Sequence, residues 1–274
     1  MTTKSPKPRA RRARFIGWLT IILALALLFA PQAAYTVEMP GPTGDVLGAV
    51  SSKAKAPKMI EVSGAKSFKD PGKLLLTTVS AFGVPGYPAT NAQVLWAWFQ
   101  KDTIVVPQEL EYPVNQTADD YKQETNKQMS GAQEAAQTQA LAFLKRRGIA
   151  VDRAKVSMRV DDIGGPSAGM MYTLGTIDKF TSVNETGGKV IAGTGTMEKN
   201  GKIGPIGGIR LKMVGAMRDG ARWFIAPTSN CNEVTGHIPS GLHVVAVSNL
   251  DQAYDALVAI GQGKTDGLKS CPVS

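Results

Sequence analysis

Gly164-Gly165-Pro166-Ser167-Ala168-Gly169-Met170 is the stretch on which the reading of this 274-residue chain turns. Residues 155–160 (KVSMRV) before it have the composition of a strand, and residues 167–180 after it that of a helix. Two glycines permit a tight strand-to-helix turn and a close backbone approach. Proline suits a helix start, and a serine in that first turn is surrounded by N–H groups with no intrahelical partner. Such oriented donors suit the oxyanion of a tetrahedral acyl intermediate. Ser167 is therefore a candidate nucleophile, with Gly164, Gly165, Pro166 and Ala168 as its oxyanion-hole turn. A serine after Gly-Pro is also an ordinary helix cap, and this segment alone does not separate the two.

A second segment follows some thirty residues on. Gly193-Thr194-Gly195 ends a predicted strand, and Gly201-Lys202-Ile203-Gly204-Pro205-Ile206-Gly207-Gly208 runs into a predicted helix over residues 208–220. Lys212 lies on that helix beside Leu211, Met213, Val214 and Ala216. Desolvation by such neighbours, with a second cation such as Arg210 nearby, favours the neutral amine, which can act as a base. A surface lysine whose stem lies along apolar side chains fits the same residues.

Together the two segments resemble the proteolytic domain of the Lon family. The family's PSAG nucleophile motif matches Pro166–Gly169, and its PIGG-x-x-x-K motif matches Pro205–Gly208 followed by Lys212. The resemblance implies a Ser–Lys dyad of Ser167 and Lys212, with Thr194 positioning the amine. It extends upstream to residues 73–80 (KLLLTTVS) and to the helix of residues 131–147, and so covers roughly residues 59–262. It implies an α+β fold of short mixed sheets with packed helices, no cofactor, no metal, and peptides or unfolded proteins as substrates. Such domains often form rings, so a homo-oligomer is among the partners it allows.

Three features depart from the family's pattern. No ATPase module is present. The nearest P-loop lookalike, Gly195 to Gly201-Lys202, has five intervening residues instead of four, and Ile203 stands where Ser or Thr should be. The place three residues before the nucleophile, often acidic in full-length Lon, is Gly164. The architecture resembles bacterial membrane-anchored Lon-type proteases that carry a PDZ domain. Here too few residues separate the helix end near Gly148 from the nucleophile strand to hold one.

The rest of the chain sets location. The formal charge is +9, but six positive charges, from Lys4 to Arg14, precede residue 15 and leave only +3 for the remainder, so no nucleic-acid partner is expected. Residues 15–35 hold no charge and are long enough for a transmembrane helix, with Trp18 and Tyr35 as interface anchors. The positive-inside rule leaves residues 1–14 as a basic cytoplasmic tail and the rest extracytoplasmic. A cleaved signal peptide is the competing reading, with no clean A-x-A at the exit. Residues 36–58, rich in Pro, Gly, Ser and Lys, read as an exposed stalk. Residues 94–99 (VLWAWF) read either as a short amphipathic helix or as a surface patch. Outside the cytoplasm Cys231 and Cys271 form a natural disulfide that ties down a tail of residues 263–274; two free thiols are the alternative.

Rival chemistries have weaker support. A Ser-His-Asp triad requires His237 or His243, and neither sits in a motif. S-x-x-K occurs at Ser52–Lys55 and Ser63–Lys66 without the accompanying motifs. Asp161-Asp162 reads as a solvated turn. The expectation is thus a membrane-anchored, ATP-independent serine endopeptidase at the cell membrane. The alternative is a catalytically silent peptide-binding protein of the same fold.

Overall fold

Four short segments of β-branched and aliphatic residues are buried on both faces, and they organise the fold. The computed structural model describes residues 8–29, 33–50, 56–113, 115–159 and 165–271. In chain order it contains α1 (Pro8–Phe29), β1 (Tyr35–Asp45), β2 (Ile60–Ser63), β3 (Lys73–Phe82), α2 (Asn91–Trp98), β4 (Ile104–Pro107), α3 (Ala118–Arg146) and β5 (Lys155–Met158). There follow α4 (Gly169–Phe180), β6 (Val190–Gly193), β7 (Thr196–Met197), β8 (Ile203–Gly204), α5 (Ile209–Arg218), β9 (Trp223–Pro227), α6 (Cys231–Val234), β10 (His243–Val247) and α7 (Leu250–Gln262). The fold is mixed α and β.

The chain divides into two compact units, Met1–Glu38 with Ala81–Ala118, and Met39–Ser80 with Asp119–Ser274. In the second unit the strands run β10-β9-β6-β3-β1. Strands β3, β6, β9 and β10 are mutually parallel, pairing Leu74 with Ile191, Ala192 with Phe224, and Phe224 with Val244. Alternate side chains on these strands go to opposite faces. Leu74, Leu76, Ile191, Ile225 and Val245 join a core with Phe143, Tyr172, Leu174 and Leu257 from the helices. Leu75, Ala192, Phe224 and Val244 join a second core with Ile209, Met213 and Ala216 of α5. Burial on both faces explains why these segments read as continuous apolar runs. β2 and β5 form an antiparallel pair, as do β7 and β8. In the first unit, Tyr35–Glu38 of β1 pairs antiparallel with β4. Helix α2 is closed by a capping box between Thr90 and Gln93, which settles residues 94–98 as helix with Phe99 as its C-cap.

The expected stalk is a correction. Residues 35–45 are strand β1, and Thr36, Val37 and Gly41 in it are buried. Pro40, Gly41, Pro42 and Gly44 disguised it. The β4 pairing stops at Glu38, so beyond that point proline forfeits no ladder bond on that side. There the Arg218 guanidinium donates to the Gly41 carbonyl at 2.8 Å. A Cβ on Gly41 would lie 2.8 Å from the Thr78 backbone carbon, so glycine is what permits the strand contact. Residues 51–55 of the expected stalk lie outside the described residues. Helix α1 ends at Phe29, and Tyr35 belongs to β1 rather than to the end of a span. Of residues 59–262, Ala81–Ala118 groups with the first unit. Helix α3 is continuous from Ala118 through Gly131 to Arg146, as the helical composition of residues 117–147 leads one to expect.

All twelve residues of α4 are buried, including Asp178 and Lys179. The Lys179 amine donates to the Leu47 carbonyl at 2.9 Å. Asp178 faces Asp70 and Glu185, with carboxylate oxygens of the three within 4.8 Å of one another. Asp70 accepts from the Thr186 hydroxyl and from the backbone N–H groups of Thr186 and Gly72, which outweigh its burial and hold it below the usual carboxylate range. Burial, then the charges of Glu185 and Asp70, push Asp178 up to about 9. A protonated Asp178 relieves the crowding of negative charge, and the proton is its means of meeting the Asp70 carboxylate. The folded state therefore binds a proton that the unfolded state has released above its ordinary pKa of 3.8. The resulting stability is full below that value and is lost as pH rises through about 9. We expect denaturant midpoints of the full chain to fall steadily between pH 6 and 9, and Asp178→Asn to flatten that slope; an unchanged slope would refute the assignment.

Candidate active site

The first turn of α4 is docked by its backbone onto the end of β6. Pro166–Ala168 form a 3-10 turn that leads into α4, preceded by Gly165 at φ 96°. The Ser167 carbonyl accepts from Gly195 N–H at 2.8 Å, and the Gly195 carbonyl accepts from Met170 N–H at 3.0 Å. A Cβ on Gly169 would lie 2.8 Å from the Met197 backbone nitrogen, so the turn can lie this close only with glycine there. Ser167 is half-buried, Ala168 buried and Pro166 exposed. Gly164, with Asp161 and Asp162, lies outside the described residues.

Thr194 sits at the carboxyl end of β6, between β3 and β9, where open parallel sheets commonly place their sites. Its N–H donates to the Ile225 carbonyl at 3.1 Å, and the residue is wholly buried. Its hydroxyl donates to the Ser167 carbonyl at 3.1 Å. A hydroxyl has one proton to give, so its lone pairs remain for a donor on the other side. That donor is the Lys212 amine, in a long hydrogen bond of 3.4 Å. One buried hydroxyl thus joins the serine turn to the lysine.

Lys212 lies on α5 and is 4% exposed. Its N–H closes the first turn on the Gly208 carbonyl at 3.0 Å. Arg210, two residues earlier, is exposed and donates to the Glu233 carbonyl at 3.3 Å. Residues two apart do not share a helix face, so the cation expected beside the lysine points elsewhere.

The loop before α5 is held by a residue that the sequence did not single out. Asn230, 1% exposed, accepts from Ile206 N–H at 3.0 Å and donates back to the Ile206 carbonyl at 2.8 Å. No motif marks it, and its position before Cys231 is the sole hint. Cys231 is bonded to Cys271, with Cα atoms 5.1 Å apart, and Ala246 N–H donates to the Lys269 carbonyl of the tail at 2.7 Å. The disulfide therefore secures the residue beside the one that grips the lysine loop.

The other candidates lie apart. His237 is exposed against the Thr235 carbonyl, and His243 stacks on Trp223. Ser63 and Lys66 are exposed, and Ser52 and Lys55 lie outside the described residues. Chemically, a serine at a helix start and a buried amine, held by one hydroxyl, have the parts of an acyl-transfer centre.

Residues 160–259 match the Lon protease (S16) C-terminal proteolytic domain. The mitochondrial Lon protease homolog of Candida glabrata is 34% identical over 106 residues, covering 38% of this chain and 10% of that protein. That of Emericella nidulans is 38% identical over 98 residues, 35% of this chain and 9% of that protein. The Lon protease of Rickettsia bellii is 30% identical over 94 residues, 33% of this chain and 12% of that protein. The chain thus spans about a tenth of the length of these curated relatives.

Opening the disulfide frees a loop with a sequence separation of 40 residues, worth about 4 kcal/mol in the chain-entropy model. Cys271→Ser should lower the unfolding free energy by about 2–4 kcal/mol in denaturant titrations. A loss within error of zero would show that the tether does not constrain the site.

Proposed function

We propose, from the premise that residues 160–259 are a Lon-type C-terminal proteolytic domain, that the chain is a serine endopeptidase working with a Ser167–Lys212 dyad. The observation that carries this is the Thr194 hydroxyl, bonded to the Ser167 carbonyl on one side and to the buried Lys212 amine on the other. Held against Thr194, the amine is suited to take the Ser167 Oγ proton as Oγ attacks a peptide carbonyl. N–H groups of the Gly165–Ala168 turn hold the oxyanion. Lys212 then returns the proton to the leaving amine, and water releases the acyl group from Ser167. Thr194 acts through Lys212 as a positioning residue.

The finer parts of the proposal are location and fuel. Residues 11–29 of α1 are apolar enough to cross a bilayer, with no side chain buried in the protein. The basic residues before them support a cytoplasmic N-terminus and an extracytoplasmic protease domain. With no P-loop in these 274 residues, flexible polypeptides that need no ATP-driven unfolding are the proposed substrates. A protein that only held peptides would have no use for an amine buried against Thr194, which disfavours the silent alternative.

Hydrolysis of an unstructured protein by the full chain tests the proposal. Ser167→Ala and Lys212→Ala should each lose about 10³-fold or more in kcat/KM. Thr194→Val should lose about 10-fold or more, and Thr194→Ser should restore most of the rate. Added ATP and magnesium should change nothing, and kcat/KM should rise with pH as the amine sheds its proton. Wild-type rates in Ser167→Ala would refute the protease, whereas wild-type rates in Lys212→Ala would refute only the base.

A further inference from the structure

Within the first unit an apolar surface stands beside the end of the candidate membrane helix. Helix α2 buries Val94 and Ala97 and leaves Leu95, Trp96 and Trp98 exposed, with Phe99 following at 86% exposure. Tyr87 and Leu110, from neighbouring loops of the same unit, are exposed at 67% and 75%. Aromatic residues are large apolar bodies, and a soluble surface rarely gathers so many without a partner.

The position of α2 indicates the partner. Asn91, its first residue, donates its side-chain N–H to the Leu27 carbonyl at 2.9 Å, near the end of α1. Tyr35 at the start of β1 meets Trp98 edge to face, with ring centroids 6.2 Å apart. The aromatic helix is therefore fixed at the level where α1 would leave the hydrocarbon. Tryptophan and tyrosine favour the headgroup boundary, where the ring is half-solvated. The polar Gln100-Lys101-Asp102 tip that follows Phe99 keeps the patch short enough to lie in such a boundary.

We propose that α2 and Phe99 form a membrane-resting face that inserts its aromatic side chains into the lipid interface at the C-terminal end of α1. The occupant is lipid, and the proposal rests on α1 being a membrane span. The face fixes the unit against the bilayer by a second contact.

The chain has four tryptophans, so single-tryptophan versions of the full chain report each site. One retains Trp18, a second Trp98 and a third Trp96, with phenylalanine at the other three positions, all in phosphatidylcholine vesicles. Lipids brominated deep in the acyl chain should quench Trp18. Lipids brominated near the headgroup should quench Trp98 and Trp96, and aqueous acrylamide should quench these two little. Quenching of Trp18 by lipid, with Trp98 and Trp96 open to acrylamide and blind to bromine, would overturn the proposal and leave the span intact. No lipid quenching at Trp18 would overturn both. Trp98 and Trp96 shielded from both quenchers would mean that a protein partner or second copy covers the face, which also overturns it.

Discussion

The docking of the first turn of α4 against Gly195 is the constraint on which the rest of the structure depends. Two backbone bonds, Gly195 N–H to the Ser167 carbonyl and Met170 N–H to the Gly195 carbonyl, lay a helix start across the end of a central strand. That contact places the Thr194 hydroxyl under the serine turn with a lone pair facing α5. It also explains the composition around it. Gly169 is small because Met197 passes close by. The buried parallel strands make the contact rigid, since neither face of the sheet is free to yield.

Polar support for the site is arranged in series. Asn230 fixes the loop that starts α5, and the Cys231–Cys271 bond anchors the turn that carries Asn230. On the other side of α4, Asp70, Asp178 and Glu185 occupy a crowded acidic recess under the far end of the same helix. A helix buried at every residue thus follows Ser167 at one end and carries the buried Asp178 near the other.

Much of this was legible in the residues. GGPSAGM announced a turn into a helix, and residues 155–160 before it a strand. The N-terminal strand was illegible because its prolines and glycines serve an unpaired edge and a close strand contact, and composition reports those residues as linker. Ser167 and Lys212 carried recognisable spacing, whereas Asn230 acts through two backbone bonds that no spacing encodes. Arg210 shows the opposite error, a neighbour in sequence that helix geometry turns away.

The claim at the centre is that one serine is activated by one buried lysine. Intact-mass and peptide mapping after exposure of the full chain to a serine-directed fluorophosphonate tests it without any assumption about substrate. The account predicts a single adduct on Ser167, formed at least about 10²-fold more slowly in a folded Lys212→Met variant. An adduct on another serine, or equal labelling of Ser167 with and without the lysine amine, would contradict it.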